Sequence, residues 1–173
     1  MLIHIGCIQR KKKPWFTRKT KHKIDILKGG EHMETIRIYL SGGMGNLSFE
    51  EQSKWRQQVQ DAIKFNYECE KKPIFFNPVN YYNFEEVRYK TEREVMEFDL
   101  NGLRNSDLVI VNFNDPLSIG TCAELAIAYE MKIPVIGINQ DNKKLHPWLE
   151  CFCNRICMSI KDAVEYVVEF YLN

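Results

Sequence analysis

The 173-residue sequence predicts an α/β domain built on a mostly parallel sheet with helices on both faces. Three observations predict it. From Met33 onward, short apolar runs alternate with segments of helical period, the pattern of strands joined by crossover helices. One run, Leu108-Val109-Ile110-Val111-Asn112-Phe113, is almost continuously apolar, as a strand covered on both faces is. Capping boxes at Ser48-Phe49-Glu50-Glu51 and Thr91-Glu92-Arg93-Glu94 open helices between the strands, and ligands in such folds bind outside the carboxyl ends of the strands, at the loops 41–48, 77–91, 114–121 and 139–150. Together these give a doubly wound, five-stranded, flavodoxin- or Rossmann-like architecture with right-handed crossovers.

Each element has its own signal. Ile36-Arg37-Ile38-Tyr39-Leu40 reads as the first strand and Ser41-Gly42-Gly43-Met44-Gly45 as its exit loop. Ser48-Phe49-Glu50-Glu51 is a capping box, followed by Trp55, Val59, Ala62 and Ile63 at helical spacing. Pro73 to Pro78 brackets a short buried strand, and a Tyr-rich polar stretch follows, with Tyr81, Tyr82 and Tyr89 around Phe84. Thr91-Glu92-Arg93-Glu94 reads as a second capping box, opening a helix to about Leu103. After the strand at 108–113, the loop 114–120 leads into a helix expected from Thr121 to about Met131. Pro134-Val135-Ile136-Gly137-Ile138 is the fourth strand, residues 139–150 a polar loop, and Arg155-Ile156-Cys157-Met158 a short fifth strand. Ser159 caps a last helix whose apolar face is Val164, Val167, Val168 and Tyr171.

Charge divides the chain. Residues 1–32 hold nine Lys/Arg against two Asp/Glu, a net +7, while the remainder nets −6. The first segment has no helix or strand period and reads as a basic tail, either a flexible arm or a stretch outside the natural fold, which would then start at Met33. Residues 33–173 read as the folded domain. A nucleic-acid role would rest on the tail alone. No stretch reaches the roughly 20 apolar residues of a membrane helix. Six cysteines in a chain long enough to build its own core point to a reduced, cytoplasmic protein. The His146 to Cys157 segment has Cys-x-Cys-x3-Cys spacing rather than paired zinc-ligand units, so no metal and no cofactor are expected. Cys122 at a helix start has the position of a thiol with lowered pKa, or of a small packing residue.

Three places carry candidate chemistry. The loop Asp115 to Glu124 leaves a buried strand and enters a helix. Gly120 would let a ligand approach the backbone, first-turn N–H groups suit an anion, and Ser118 and Thr121 add hydroxyls. Glu124 either faces the crevice or closes a capping box with Thr121, and Ser118 either contacts a ligand or serves the turn. Gly42 and Gly43 form a second glycine-rich strand exit, although neither a Walker loop nor Gly-x-Gly-x-x-Gly is present. Tyr39 there is either a site residue or a core aromatic. Asp99 lies among Val95, Met96, Phe98, Leu100 and Leu103, where a carboxylate needs a partner or a shifted pKa, unless it points to solvent.

The ordered set Tyr39-Leu40-Ser41-Gly42-Gly43, then Asp99-Leu100-Asn101-Gly102-Leu103-Arg104-Asn105-Ser106-Asp107, then Pro116 to Leu125 resembles the nucleoside 2-deoxyribosyltransferase family, which includes a branch of nucleoside 5′-monophosphate N-glycosidases. The resemblance implies cleavage or transfer at an N-glycosidic bond. It implies Glu124 as the nucleophile, Asp99 assisting the base or the sugar, and Tyr39 orienting the nucleophile. Ser118, six residues before Glu124, occupies the position that holds a 5′-phosphate in the monophosphate branch. Gly43 stands where that branch often has a serine. The resemblance also implies a homodimer or larger homo-oligomer whose neighbouring subunit completes the pocket. A non-catalytic module sensing nucleotides in the same crevice is the alternative reading.

Overall fold

The computed structural model describes residues 33–45, 47–82 and 89–173. The basic segment 1–32, with Cys7, and Phe84 of the Tyr-rich stretch lie outside the described residues.

Five parallel strands form one sheet in the order β2-β1-β3-β4-β5. They are β1 (Thr35–Gly42), β2 (Lys72–Phe76), β3 (Leu108–Asn112), β4 (Val135–Ile138) and β5 (Arg155–Cys157). The chain leaves β1 toward one edge to form β2, then crosses to the other side for β3. The topological switch point, where ligands bind in such sheets, therefore lies between the carboxyl ends of β1 and β3. Tyr39 pairs with Phe76 on one side and Val109 on the other, which fixes β1 at the centre of this crossover.

The helices are α1 (Phe49–Asn66), α2 (Glu92–Arg104), α3 (Ile119–Glu130), α4 (Pro147–Phe152) and α5 (Ile160–Val167), with a 3-10 turn at Pro78–Tyr81 and a π turn at Val168–Leu172. Two cores follow from the pleat of the sheet. Ile36, Ile38 and Leu40 pack with Trp55, Val59 and Ile63 of α1 and with Ala163, Val164 and Val167 of α5. Tyr39, Val109 and Val111 face the opposite way, onto Leu103 of α2, Leu125 and Ala128 of α3 and Leu149 of α4. Every residue of β3 is buried, which explains its unbroken apolar run. Each such fully buried Val, Leu or Ile contributes roughly 1.5–3 kcal/mol of transfer free energy.

Local chemistry accounts for the helix starts. Ser48 caps α1 and Glu51 reaches back to its N–H, a complete capping box. At α2 only half of the expected box forms: Thr91 accepts from the Glu94 N–H, while the Glu94 carboxylate turns to the Lys90 N–H. Helix α3 starts two residues before the expected Thr121, because Ser118 is its N-cap and accepts from the Thr121 N–H. Within the polar loop expected at 139–150, α4 begins at Pro147, which fills a first-turn position that needs no N–H donor. Among the described residues no helix is long and apolar enough to cross a membrane.

Candidate active site

The exit of β1 builds the centre of the site. Tyr39 and Ser41 are two apart on a strand and so share a face. Tyr39 Oη donates to Glu124 Oε1 at 2.7 Å, and Ser41 Oγ donates to Glu124 Oε2 at 2.5 Å. Both oxygens of one carboxylate are thus held by hydroxyls from β1. The earlier start of α3 puts Glu124 in its second turn, and Ser118 takes the cap, so the Thr121–Glu124 capping box does not form. Tyr39 satisfies both of its sequence readings. Its ring is fully buried and stacked on Phe76 at 5.3 Å, while its hydroxyl reaches Glu124.

Asp99 is buried on α2, not turned to solvent, and accepts a hydrogen bond from Tyr82 Oη. The apolar neighbours expected around it are in part outward: Met96 and Phe98 are exposed. The Tyr-rich stretch divides its work. Tyr81 stacks on Phe76 at 5.0 Å, extending the Tyr39 stack, and Tyr82 covers Asp99 with Tyr89 edge-on at 6.3 Å.

Burial raises both carboxyls above the ordinary carboxylate range, and the charge of Asp99 adds to the rise at Glu124. The Ser41 and Tyr39 hydroxyls oppose it at Glu124, Tyr82 opposes it at Asp99, and Arg56 of α1 opposes it at both. The two groups titrate as a pair. Asp99 stands at about 6 and Glu124 at about 7, so between those values the pair holds one negative charge and one proton between them. Burial also pushes the Tyr39 phenol up, so it stays a donor.

The glycines have separate reasons. A Cβ on Gly43 would lie 2.6 Å from the Asp115 side chain, and one on Gly42 would lie 3.0 Å from the Trp55 ring. The Asn114 side chain accepts from the Gly43 N–H at 3.1 Å and donates to the Gly43 carbonyl at 3.3 Å. Expected as ligand contacts, these two glycines serve the close approach of the β1 and β3 exits, and the Gly43 N–H is engaged within the protein. Gly120 borders open space, with nothing within 4 Å of a built Cβ. Ser118 Oγ accepts from the Thr121 N–H at 3.4 Å and from Thr121 Oγ1 at 3.1 Å, which leaves its own proton for an outside acceptor.

A cleft of about 580 Å³ opens beside Tyr82, between Met44, Leu47, Phe49 and Gln52 on one side and Tyr89, Glu92 and Val95 on the other. Its size suits a small organic ligand. Gln52 shapes the rim by donating to the Met44 and Leu47 carbonyls, both at 2.8 Å. A second hollow of about 500 Å³ lies between α1 and α5; neither hollow is lined by Glu124, Asp99 or Tyr39, and the first adjoins them through Tyr82, which donates to Asp99. Cys122 departs from the lowered pKa its position suggested: burial first, then Asp115, push it up. Cys151 is exposed, Cys153 partly buried and Cys157 buried.

Four site residues carried no distinct sequence signal. Ser41 is found by alternation from Tyr39, and Asn114 by nothing short of the loop's conformation. Tyr82 was one tyrosine among several. Arg56 lies on the helix row Gln52, Arg56, Gln60, which reads as a solvated face and is buried instead.

Two buried carboxyls thus lie at the switch point of a parallel α/β sheet, the place where such folds bind ligands. Residues 38–169 match the family model described as nucleoside 2-deoxyribosyltransferase, well over half the chain. The chain belongs to that family, and it is an enzyme of the transferase or N-glycoside hydrolase type. Among curated proteins no relative matches it. Of solved structures, a 2-deoxyribosyltransferase from Bacillus psychrosaccharolyticus aligns with a TM-score of 0.60 at 18% identity, covering 75% of this chain and 91% of that one. A conserved protein from Enterococcus faecalis V583 aligns with a TM-score of 0.61 at 15% identity, covering 78% and 98%. A CMP N-glycosidase from Clostridium botulinum aligns with a TM-score of 0.48 at 17% identity, covering 78% and 99%. At these identities the first two likenesses establish the fold.

Proposed function

We propose that this enzyme breaks the N-glycosidic bond of a (deoxy)nucleoside or nucleoside 5′-monophosphate through a covalent glycosyl intermediate on Glu124. The observation that carries the reading is the Glu124 carboxylate, held at both oxygens by Tyr39 and Ser41 and set beside a second raised-pKa acid, Asp99.

The steps balance with these two acids. One Glu124 oxygen attacks C1′ as the C1′–N bond breaks, and the bonding pair leaves with the base. The neutral Asp99 carboxyl gives its proton to the departing base. Oxocarbenium character at C1′ is stabilised by the adjacent carboxylate before capture, as in retaining glycosidases. In the second half a base nitrogen or a water attacks C1′, the C1′–O bond to Glu124 breaks, and the Asp99 carboxylate accepts the nucleophile's proton. Tyr39 and Ser41 hold the attacking group in position, which is where much of the rate arises. The cleft beside Tyr82 takes the base. Ser118, with Gly120 and Thr121 at the open start of α3, takes the 5′-hydroxyl or 5′-phosphate.

The test is a product assay. The enzyme is incubated with each deoxynucleoside and each monophosphate, with and without a second free base, and free sugar is measured against new nucleoside. Base release is expected, and Glu124→Ala should lower it by roughly 10⁴-fold or more. Unchanged turnover in Glu124→Ala would overturn the reading.

A further inference from the structure

Arg56 is among the largest fully buried side chains of the described residues. Burying a guanidinium costs several kcal/mol unless it is paired, and an apolar residue of similar size would fill the space without that cost. No carboxylate among the described residues forms an ion pair with Arg56. Its donors go to main-chain carbonyls instead. Nε donates to Leu40 O at 3.3 Å, Nη2 to Gly42 O at 3.0 Å, and Nη1 to Gln52 O one turn back on α1. Leu40 and Gly42 flank Ser41 on the strand exit that also carries Tyr39. The guanidinium therefore grips the backbone on either side of a hydroxyl that holds Glu124.

We propose that Arg56 is a positioning residue for the reaction: it fixes the exit of β1 so that Tyr39 and Ser41 meet Glu124, and its charge keeps that carboxyl available as an anion. This rests on Glu124 being the nucleophile. The charged and titratable groups facing Glu124 are Tyr39 from β1, Asp99 from α2 and Arg56 from α1, with Tyr82 acting on it from beyond Asp99. Burial and Asp99 favour the neutral form of Glu124, the Ser41 and Tyr39 hydroxyls oppose it, and Arg56 is the single cation among these groups that does so. Its charge persists, because burial lowers its pKa only to about 10.

The test uses Arg56→Met and Arg56→Lys, with folding checked by circular dichroism. The Glu124 carboxyl is titrated by infrared difference spectroscopy against Glu124→Gln in the same background, which needs no turnover. In Arg56→Met the titration, and with it the acid limb of kcat/KM, should move up by roughly one pH unit. In Arg56→Lys the charge remains, so the titration should return toward the wild-type position, while kcat stays lowered because the fork on Leu40 and Gly42 is lost. A purely structural arginine would lower activity at every pH without moving the carboxyl titration. That result in the folded variants, or failure of both to fold, would overturn the proposal. If base release is absent from the wild type while the carboxyl titration shifts as stated, the nucleophile reading fails and the electrostatic role of Arg56 stands.

Discussion

Tyr39 does two jobs that a single substitution separates. Tyr39→Phe keeps the ring on Phe76 and removes one of the two donors to Glu124. The fold should survive, and kcat should fall by roughly 10- to 100-fold as the Glu124 carboxylate loses its alignment; steady-state kinetics beside a thermal melt checks both. Glu124 carries a cost in stability. Its folded-state pKa is raised, so its contribution to stability is fully present below the unfolded value, about 4.3, and is lost as pH rises through the raised value. Glu124→Gln should therefore be more stable than the wild type at pH 8, on the order of 2 kcal/mol, with the gap closing toward pH 4. Urea melts at the two pH values measure it, and a gap that grew on acidification would contradict the burial argument. At this scale, residue type and neighbours named Glu124, Asp99 and Tyr39. Ser41, Tyr82 and Arg56 escaped because each owes its role to a partner distant in sequence: 83 residues for Ser41 and Glu124, 17 for Tyr82 and Asp99.

Elements place these groups through two glycines with opposite surroundings. Gly102 of α2 lies under the Phe76 ring, whose nearest atom would be 2.5 Å from a built Cβ. That ring is stacked with Tyr39 and Tyr81 and has little room to give. Gly102→Ala should cost about 1–3 kcal/mol by overpacking, and it should lower kcat because Asp99 sits one turn earlier on the same helix. Gly120→Ala meets open space and should leave the fold intact, with up to about 1 kcal/mol of helix stabilisation. A rise in KM for the monophosphate there would support close ligand approach, and unchanged KM would remove Gly120 from the binding loop. Strands and most helices were legible because periodicity and caps are local. The start of α3 was misplaced because Ser118 and Thr121 are both competent caps, and only the packing of Glu124 onto β1 chooses between them. Helix α4 was hidden by its length of six residues, too short for periodicity to register.

For the whole molecule, parallel order and the switch point follow from strand and helix alternation, and the family match spans most of the described fold. We infer that residues 33–173 form the catalytic domain, since β1 begins at Thr35 and the match at residue 38. A chain started at Met33 should keep the Tm and the base-release rate of the full chain, and loss of either would assign residues 1–32 a part in the fold or the reaction. We also expect a homo-oligomer. Leu117 and Ile119 are each 86% exposed on either side of Ser118, where large apolar side chains call for cover. Sedimentation equilibrium should show a dimer or larger species, and a monomer at all concentrations would contradict this. A sugar bound covalently to Glu124 would be caught by intact-protein mass spectrometry of turnover quenched in acid, followed by peptide mapping. A glycosyl adduct is expected on the peptide containing Glu124 and should be absent in Glu124→Ala. Full turnover with no adduct, and a Glu124→Ala enzyme that still releases base at the wild-type rate, would contradict it.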